Sequence, residues 1–260
     1  MNNESKKYIG KNVLRFEDDR LLSGKGVYTS DLNFPDQLHL CFLRSDTAHG
    51  KIISINKDKA EKLKGIHGIF THEDFKDVPP IKSPSRMKNY YATNQNILCV
   101  DKVRYVGEPI AVIVADNRYI AEDAIELVEV EIENLEPVIN VKDSIKYNSA
   151  ILHNEINSNT ILERTFNKGD IKFKRDEKIL SVKNNFSMTR KSPVSMETRS
   201  YVCNIDKIND ALTLYSSSQV PGVIKDALCQ FLKIPGNKLN VVAPDVGGGF
   251  GGKASLYPEE

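Results

Sequence analysis

A run of glycines near the end of the chain is the feature that most constrains how it can fold. Five glycines fall within the six positions from Gly247 to Gly252, directly after the apolar run Leu239 to Ala243. Glycine adopts positive φ without steric cost and lets the backbone approach a ligand closely. Successive N–H groups can line a concavity that binds anions, and a preceding strand would hold that concavity rigid. A tight turn needs only one or two glycines, so the run favours a ligand-binding loop, with Phe250 placed to cover an apolar or planar ligand face.

The same loop partly fits the phosphate-binding pattern G-x-x-x-x-G-K-[ST]. Gly247, Gly252 and Lys253 occupy the required positions, and the lysine of that pattern reaches the phosphates. However, Ala254 stands where the pattern requires a hydroxyl, and Pro258 falls where it requires a helix. A nucleotide-binding protein therefore stays an alternative, and it predicts a helix that starts near Lys253.

Charge and cysteine content narrow the classes of protein. The 36 basic and 35 acidic side chains nearly cancel, so the formal net charge of +1 gives no field that would attract nucleic acid or a membrane surface. The cysteines are far apart and form no C-x-x-C pair, which argues against a zinc or iron–sulfur site and for reduced thiols. We expect each to be a small buried apolar side chain: Cys41, Cys99, Cys203 and Cys229.

The remaining composition points to a cytoplasmic protein. The N-terminus is polar and lacks the apolar core of a secretory signal, and no apolar run is long enough to span a bilayer. The histidines match no triad and no metal-ligand spacing, so we interpret them as structural or surface residues: His39, His49, His67, His72 and His153.

The spacing of apolar residues predicts an α+β fold. In the first part of the chain it predicts strands at 37–43, 50–55, 68–71, 97–100, 103–106, 109–115 and 128–132, with helices at 57–63 and directly after Asp116. The run Pro109 to Ala115 is apolar throughout and is expected to be buried on both faces. Residues 76–96, with Pro79, Pro80 and Pro84, are predicted to form a long surface loop.

The second part repeats the mixture of strands and helix. Strands are predicted at 162–166, 178–186, 201–206, 212–216 and 239–243, with a helix that starts at Pro221 and ends before Gly236. The crowded charges of residues 15–20 indicate a solvated, extended segment. We therefore expect an N-terminal arm at 1–23, a first domain at 24–138, a polar connector at 139–160, and at 161–260 the first part of a truncated second domain.

Three segments match a known family, in that family's order: 103–115 (VRYVGEPIAVIVA), 216–221 (SSSQVP) and 243–253 (APDVGGGFGGK). The chain resembles the N-terminal part of the molybdenum-cofactor-binding large subunit of the xanthine dehydrogenase, aldehyde oxidase and carbon monoxide dehydrogenase family. The first segment is similar to the centre of the family's a/b hammerhead domain, the second to the segment that places a glutamine beside the metal, and the third to the cofactor loop. The resemblance implies an a/b hammerhead-like domain followed by the beginning of a mixed α/β molybdopterin-binding domain.

The resemblance also implies a cofactor, a molybdenum-pterin group in the form of molybdopterin or its dinucleotide. The residues implied to bind it are Gln219, Gly248, Gly249, Phe250 and Gly251. The loop backbone would lie against the metal centre and the pterin, and the Gln219 amide would hydrogen-bond an oxygen ligand of molybdenum. The resemblance assigns no catalytic residue and no protein ligand of the metal to this chain.

Two departures from the family pattern bear on the substrate and the site. A glutamate that binds purine in xanthine-oxidising relatives would follow the loop lysine, and Ala254 in its place favours an aldehyde, carbon monoxide or another small heterocycle. The family's Met-Glu-Pro-Arg-Gly stretch is present as Met196-Glu197-Thr198-Arg199-Ser200, which lacks the proline and the glycine. We assign Arg199 no catalytic role.

The length of the chain bears on the functional hypotheses. The family's large subunit is much longer, and its later parts hold the rest of the pocket, the substrate channel and the glutamate that acts as general base. We therefore expect the N-terminal segment of an oxidoreductase that is inactive alone and is completed by the C-terminal part of the subunit, with iron–sulfur and FAD subunits as further partners. The alternative is a non-catalytic assembly module, from a truncated or split gene.

Overall fold

The computed structural model describes residues 9–83, 85–170, 178 and 180–260. Within them the strands are β1 (His39–Arg44), β2 (Gly50–Asn56), β3 (Ile66–Phe70), β4 (Lys102–Val103), β5 (Pro109–Ala115), β6 (Glu129–Asn134), β7 (Tyr201–Asp206), β8 (Ala211–Ser216) and β9 (Leu239–Val242). The α-helices are α1 (Asp18–Leu22), α2 (Arg118–Leu127), α3 (Val141–Ser144) and α4 (Pro221–Leu232), and short 3-10 helices occur at Thr29–Asp31, Ala60–Lys62 and His72–Phe75. This mixture confirms the predicted α+β class.

Strand β5 is the centre of an antiparallel sheet with the order β1–β5–β3. Its residue Ile113 lies opposite Cys41 of β1 and Ile69 of β3. All residues of β5 except Val114 are buried. Because successive side chains of a strand point to opposite faces, this burial confirms that both faces of β5 are covered.

Helix α2 covers one face of this sheet. Its buried residues Ala121 and Ala124 belong to the same apolar cluster as Ile113. The helix is capped by Asn117, whose Oδ1 accepts a hydrogen bond from the Ile120 N–H at 3.0 Å. The prediction that Asp116 caps it is wrong by one residue, since the Asp116 carboxylate lies 2.6 Å from His67 Nε2 instead.

A second antiparallel sheet has the order β4–β2–β6. Ile52 of β2 lies opposite Ile132 of β6, and both pack against a buried cluster formed by Cys99, Val103 and Ile110. Strand β5 therefore contributes to both apolar clusters, with Ile113 in the first and Ile110 in the second.

The third sheet, β7–β8–β9, determines where the glycine run lies. Strands β7 and β8 are antiparallel, whereas β8 and β9 are parallel, with Leu214 opposite Val241. The chain passes from β8 to β9 through helix α4. Because β8 and β9 run in the same direction, the residues that follow each strand leave the sheet at the same edge. Gln219 follows β8 and the glycine run follows β9, so the fold brings these two separated segments to one edge.

Several predicted elements differ from the structure. The helix predicted at 57–63 is reduced to the 3-10 turn Ala60–Lys62, because so short a segment offers few hydrogen bonds to offset the ordering of its backbone. The strand predicted at 103–106 is only the two residues of β4, since the chain turns at Gly107, which has a positive φ of 93°. The predicted loop at 76–96 contains one isolated bridge, between Ile81 and Gln95, and Pro84 lies outside the described residues.

Three further predicted strands are absent from the described residues. At 97–100, Leu98 and Cys99 are buried, but the segment joins no ladder beyond one bond from the Cys99 N–H to the Pro109 carbonyl at 2.8 Å. The segments 162–166 and 178–186 contain no strand where they are described, and Ile179 lies outside those residues. A sequence shows only the apolar pattern of a strand, whereas a β-ladder also requires a neighbouring strand.

Residue contacts divide the described chain into two compact units, each drawn from several stretches. One comprises residues 9–33, 193–226 and 235–255 and contains the β7–β8–β9 sheet. The other comprises 34–83, 85–170, 178, 180–192, 227–234 and 256–260 and contains the other two sheets. The predicted solvated N-terminal segment holds helix α1, and its Arg20 binds Asp245 within the first unit, so that interpretation is wrong for Arg20.

Candidate cofactor-binding site

The glycine loop, residues 245–253, is held at its first residue by a charged contact. The Arg20 guanidinium donates two hydrogen bonds to the Asp245 carboxylate, at 2.5 and 2.6 Å, and the Val27 N–H donates a third at 2.8 Å. These donors lower the pKa of Asp245 to about 2. A carboxylate that accepts several charge-assisted bonds fixes the start of the loop in one position.

The last residue of the loop is held by a buried ion pair. The Lys253 side chain is only 4% exposed, and its Nζ lies 2.7 Å from Glu197 Oε2. The same carboxylate oxygen accepts a bond from the Gly247 N–H at 2.8 Å. Glu197 therefore ties the two ends of the glycine run together, and removing either partner of such a buried pair would leave an uncompensated charge.

This pair contradicts the nucleotide-binding alternative. In that alternative Lys253 would reach outward to phosphates and open a helix, but its ammonium is buried against Glu197. Residues 254–260 contain turns and no helix. The glycine loop is thus not built like a phosphate-binding strand–loop–helix.

Gln219 lies directly beneath the loop. Its side-chain oxygen Oε1 accepts hydrogen bonds from the N–H groups of Gly251, at 3.0 Å, and Lys253, at 3.2 Å. The backbone N–H of Gln219 donates to the Lys253 carbonyl at 3.0 Å. Because two donors face one end of the carboxamide, that end must be the oxygen, and the NH₂ group is the other end. The residue is exposed, and among the described residues its NH₂ group has no acceptor.

Close contact explains why Gly249 must be glycine. A Cβ at this position would lie 2.3 Å from both Cγ and Cδ of Gln219. Gly248 has a positive φ of 98°, which is strained for any residue with a side chain. Glycine is therefore required at 249 by the approach of Gln219 and at 248 by the backbone conformation.

The middle of the loop offers hydrogen-bond donors that the described residues do not use. The N–H groups of Gly248, Gly249 and Phe250 donate to no acceptor in the described part of the chain, whereas those of Gly247, Gly251 and Lys253 do. Consecutive open backbone N–H groups can bind an anionic or oxygen-rich ligand, and the Gln219 side chain packs against Gly249 in the middle of this run. This donor set suits a molybdenum-pterin cofactor, which presents oxygen and anionic groups.

The structure brings the five residues predicted to bind the cofactor together at the glycine loop. Gln219 contacts the backbone at Gly249 and Gly251, Gly248 precedes them with its open donor, and the ring of Phe250 is 77% exposed at a residue with φ of 49°. The sequence placed Asp245 and Lys253 in the loop but predicted neither the pair of Lys253 with Glu197 nor the pair of Asp245 with Arg20. Their charges show that each needs a partner, and charge alone does not identify which residue it is.

The other predicted features lie away from the loop. His49 is buried with Nδ1 2.7 Å from the Glu136 carbonyl, and His67 pairs with Asp116. Cys99 is buried as expected, Cys41 and Cys229 are half-buried, and Cys203 is exposed, so the expectation of burial is wrong for Cys203 and only partly met by the half-buried pair. In the described part of the chain no group of three or more His, Cys, Asp or Glu side chains could hold a metal ion. No helix there is long and apolar enough to cross a membrane.

Two family models match the chain. Residues 23–136 match the a/b hammerhead domain of aldehyde oxidase and xanthine dehydrogenase. Residues 152–260, which include Gln219 and the whole glycine loop, match the molybdopterin cofactor-binding domain. The hammerhead fold and the molybdenum-pterin cofactor implied by the resemblance are therefore confirmed.

Individual relatives give the same result over nearly the whole chain. The nicotine 6-hydroxylase large subunit of Paenarthrobacter nicotinovorans is 36% identical over 255 residues, which is 97% of this chain and 31% of that protein. The carbon monoxide dehydrogenase large chain of Hydrogenophaga pseudoflava is 33% identical, covering 93% of this chain and 31% of its own length. The crystal structure of quinoline 2-oxidoreductase from Pseudomonas putida 86 superposes with a TM-score of 0.88 at 34% identity, covering 98% of this chain and 32% of that one. The chain spans less than a third of the length of these relatives.

Proposed function

Because the chain belongs to the xanthine dehydrogenase, aldehyde oxidase and carbon monoxide dehydrogenase family and corresponds to the N-terminal part of its large subunit, we propose that it forms one side of the cofactor pocket of a molybdenum hydroxylase. The completed enzyme oxidises an aldehyde, carbon monoxide or a small heterocycle, with water as the source of oxygen. In this proposal residues 1–23 are an N-terminal arm, 24–138 the hammerhead-like domain, 139–160 a connector and 161–260 the first part of the cofactor-binding domain.

The observation that carries the proposal is the arrangement of Gln219 under the glycine loop. Gln219 Oε1 is occupied by the N–H groups of Gly251 and Lys253, which leaves the NH₂ group as a fixed donor at the edge of the sheet. The Gln219 side chain packs against Gly249, and the N–H groups of Gly248, Gly249 and Phe250 have no acceptors among the described residues. These residues would hold the cofactor, which supplies the two-electron redox chemistry when bound.

The chain's own contribution to the reaction is a set of fixed donors. A donor that is held in place before the reaction stabilises developing negative charge without having to reorganise. The Gln219 carboxamide cannot rotate without giving up two hydrogen bonds, so its NH₂ group meets this condition. The anchors at Asp245 and Lys253 keep the loop from moving, and the exposed Phe250 ring is placed to exclude water from one face of the cofactor. The resemblance places the general base in a later part of the subunit.

The same premise extends to partners and substrate. The relatives include a subunit of the 6-hydroxypseudooxynicotine dehydrogenase complex of Paenarthrobacter nicotinovorans, so we propose iron–sulfur and FAD subunits as the electron-accepting partners and the cytoplasm as the location. Ala254 follows the loop lysine, which supports a substrate other than xanthine. The nicotine and quinoline relatives favour an aromatic nitrogen heterocycle among the three substrate classes.

The Gln219→Glu variant of the completed enzyme tests the proposed donor. The replacement is nearly isosteric and keeps an oxygen facing Gly251 and Lys253, but it exchanges the NH₂ donor for an acceptor. We expect turnover to fall about 100-fold or more, as is typical when one preorganised donor is removed. Molybdenum and pterin content of the purified protein shows whether the loss lies in cofactor binding or in the reaction.

The control is the 260-residue chain alone, which we expect to hold little pterin and to be inactive because the far side of the pocket is contributed by the later parts of the subunit. Full activity of the Gln219→Glu enzyme would overturn the donor role. Tight pterin binding by the chain alone would overturn the shared pocket.

A further inference from the structure

Residues 180–188, here called the strand-like segment, have the alternation of a strand in their sequence, but they form no strand in the structure and have no neighbouring strand in the described chain. Four of the five even positions are apolar, the exception being Asn184. The apolar side chains are Leu180, Val182, Phe186 and Met188, and the odd positions between them are all polar: Ser181, Lys183, Asn185 and Ser187. Alternation over this length is typical of a strand with one face buried, and the segment contains no proline, glycine or acidic residue to interrupt it.

The apolar face of the strand-like segment is fully open. Its four apolar side chains are between 72% and 94% exposed. No ladder pairs the segment with another described residue, and no described acceptor or donor bonds to its backbone. A soluble loop normally carries polar residues, and a cluster of large exposed apolar side chains marks an interaction surface.

The contrast with the rest of the same unit supports this interpretation. Strand β5 is apolar at every position, and its residues are buried between two neighbouring strands and a helix. The strand-like segment therefore has the sequence pattern of a strand but no neighbouring strand among the described residues. Its open N–H and C=O groups also fit recognition by strand addition, in which an extended segment completes the edge of a sheet.

The position of the segment identifies the partner. It lies inside residues 152–260, the part that matches the molybdopterin cofactor-binding domain, and the relatives extend for more than twice the matched length. The segment and the residues that follow it to position 192 carry Lys183, Arg190 and Lys191 and no acidic side chain, which suits a neighbour that is apolar on one face and neutral or acidic at its rim.

We propose that residues 180–188 form a β-strand that adds to a sheet in the later part of the large subunit, with Leu180, Val182, Phe186 and Met188 buried against it. This inference rests on the proposed function, since that function supplies the partner. It predicts that the segment joins the two parts of the subunit whether they are one polypeptide or two.

Co-purification tests the proposal. The 260-residue chain is expressed with the nicotine 6-hydroxylase large subunit from which the matched N-terminal part has been deleted. Three forms of the chain are compared: the wild type, the double variant Val182→Asp/Phe186→Asp on the apolar face, and the matched control Ser181→Asp/Ser187→Asp, which adds the same charge on the polar face. We expect the apolar-face variant to weaken association about 100-fold, because two large side chains lose their burial, and the control to stay close to wild type.

Hydrogen exchange of the wild-type chain gives a second measurement that does not depend on variants. Amides of residues 181–188 should exchange at least 100-fold more slowly with the partner than without it, while amides of β5 are protected in both samples. Absence of association by the wild type, equal association by both variants, loss by both, or unprotected amides at 181–188 in the complex would each overturn the proposal. Dimerisation of the chain alone through this segment would do so too, because it would assign the surface to a second copy.

Failure of this inference can be separated from failure of the proposed function by measuring pterin. If the parts associate through residues 180–188 but hold no pterin, the proposed function fails and the strand pairing stands. If they hold pterin and the apolar-face variant still associates, the proposed function stands and the strand pairing fails.

Discussion

Strand β5 and the strand-like segment 180–188 have the same kind of sequence and opposite surroundings. Both consist of alternating or continuous apolar residues that predict a strand. In β5, Ile113 is fully buried between Cys41 and Ile69, whereas Phe186 of the strand-like segment is 91% exposed. The described chain supplies neighbouring strands for β5 and none for the strand-like segment.

This difference shows that an apolar pattern predicts burial but does not predict which surface covers the apolar side chains. The sheet β1–β5–β3 finds its neighbours within the first 115 residues of the chain, so its fold is complete locally. The strand-like segment has apolar side chains, and the glycine loop has hydrogen-bond donors, that find no partner among the described residues. Substitutions in the sheet β1–β5–β3 should therefore change stability. Substitutions in the strand-like segment should change association, and those in the glycine loop should change cofactor binding.

The largest effect on stability is expected for Ile113→Ala in β5. The side chain is 0% exposed and packs in the core with Ala121 and Ala124, so its truncation leaves a cavity. Substitutions of this kind lower the free energy of unfolding by about 2–5 kcal/mol, and we expect about 3 kcal/mol here. Urea unfolding followed by circular dichroism measures the change.

The matched substitution is Val182→Ala in the strand-like segment, which removes apolar carbon from a residue that is 72% exposed. It should change the unfolding free energy of the chain alone by no more than about 0.5 kcal/mol. Equal losses in the two regions would break the comparison, because they would mean that the chain buries Val182 by itself.

An intermediate effect is expected for Gly249→Ala in the glycine loop. The new Cβ would lie 2.3 Å from Gln219, so the side chain or the loop must move and the bonds to Gly251 and Lys253 are disturbed. Overpacking of this kind costs about 1–3 kcal/mol of stability, and a displacement near 1 Å reduces turnover about 100-fold. Pterin content and turnover of the completed enzyme measure the change.

Gly222→Ala is the control for this prediction, since Gly222 lies in helix α4 with nothing within 4 Å of the added Cβ. This variant should keep wild-type pterin content. If Gly249→Ala behaved in the same way, the close approach of Gln219 would have no role in the site.

The comparison also explains how much could be predicted from the sequence. Elements whose burial is local, such as β5 and the strands β7, β8 and β9, were predicted close to their observed bounds. The adjacency of Gln219 and the glycine loop came from the resemblance to a family. The structure explains it by the parallel pairing of β8 and β9, which the apolar pattern does not specify.

What could not be predicted depends on contacts between distant residues or on small differences between neighbours. The ion pair between Glu197 and Lys253 joins residues 56 positions apart, and any of the 35 acidic side chains was a possible partner for the lysine. The cap of α2 lies at Asn117 instead of Asp116 because the two residue types cap equally well and tertiary contact with His67 occupies the aspartate. Pattern alone cannot resolve either choice.

The smallest effect is expected from the anchor at the start of the glycine loop, and it depends on pH. Arg20 and the Val27 N–H lower the pKa of Asp245 to about 2, below the value of about 3.9 for an unfolded aspartate. A group whose pKa is lower in the folded state contributes stability above its unfolded pKa and loses it as the pH falls through the folded pKa. The contribution of Asp245 should therefore be complete above about pH 4 and decrease toward pH 2.

The Asp245→Asn variant isolates this contribution from that of the other carboxylates. Its urea midpoint should lie below that of the wild type at pH 5, and the difference should shrink between pH 4 and pH 2 as the wild-type carboxylate becomes protonated. Arg20→Gln should give the same profile, because it removes the main cause of the lowered pKa. A difference that stays constant over this range would mean that Asp245 stabilises the loop as a polar side chain and not as a charge. In that case the loop would be held at both ends by geometry, with the buried Lys253–Glu197 pair as its one ionic anchor among the described residues.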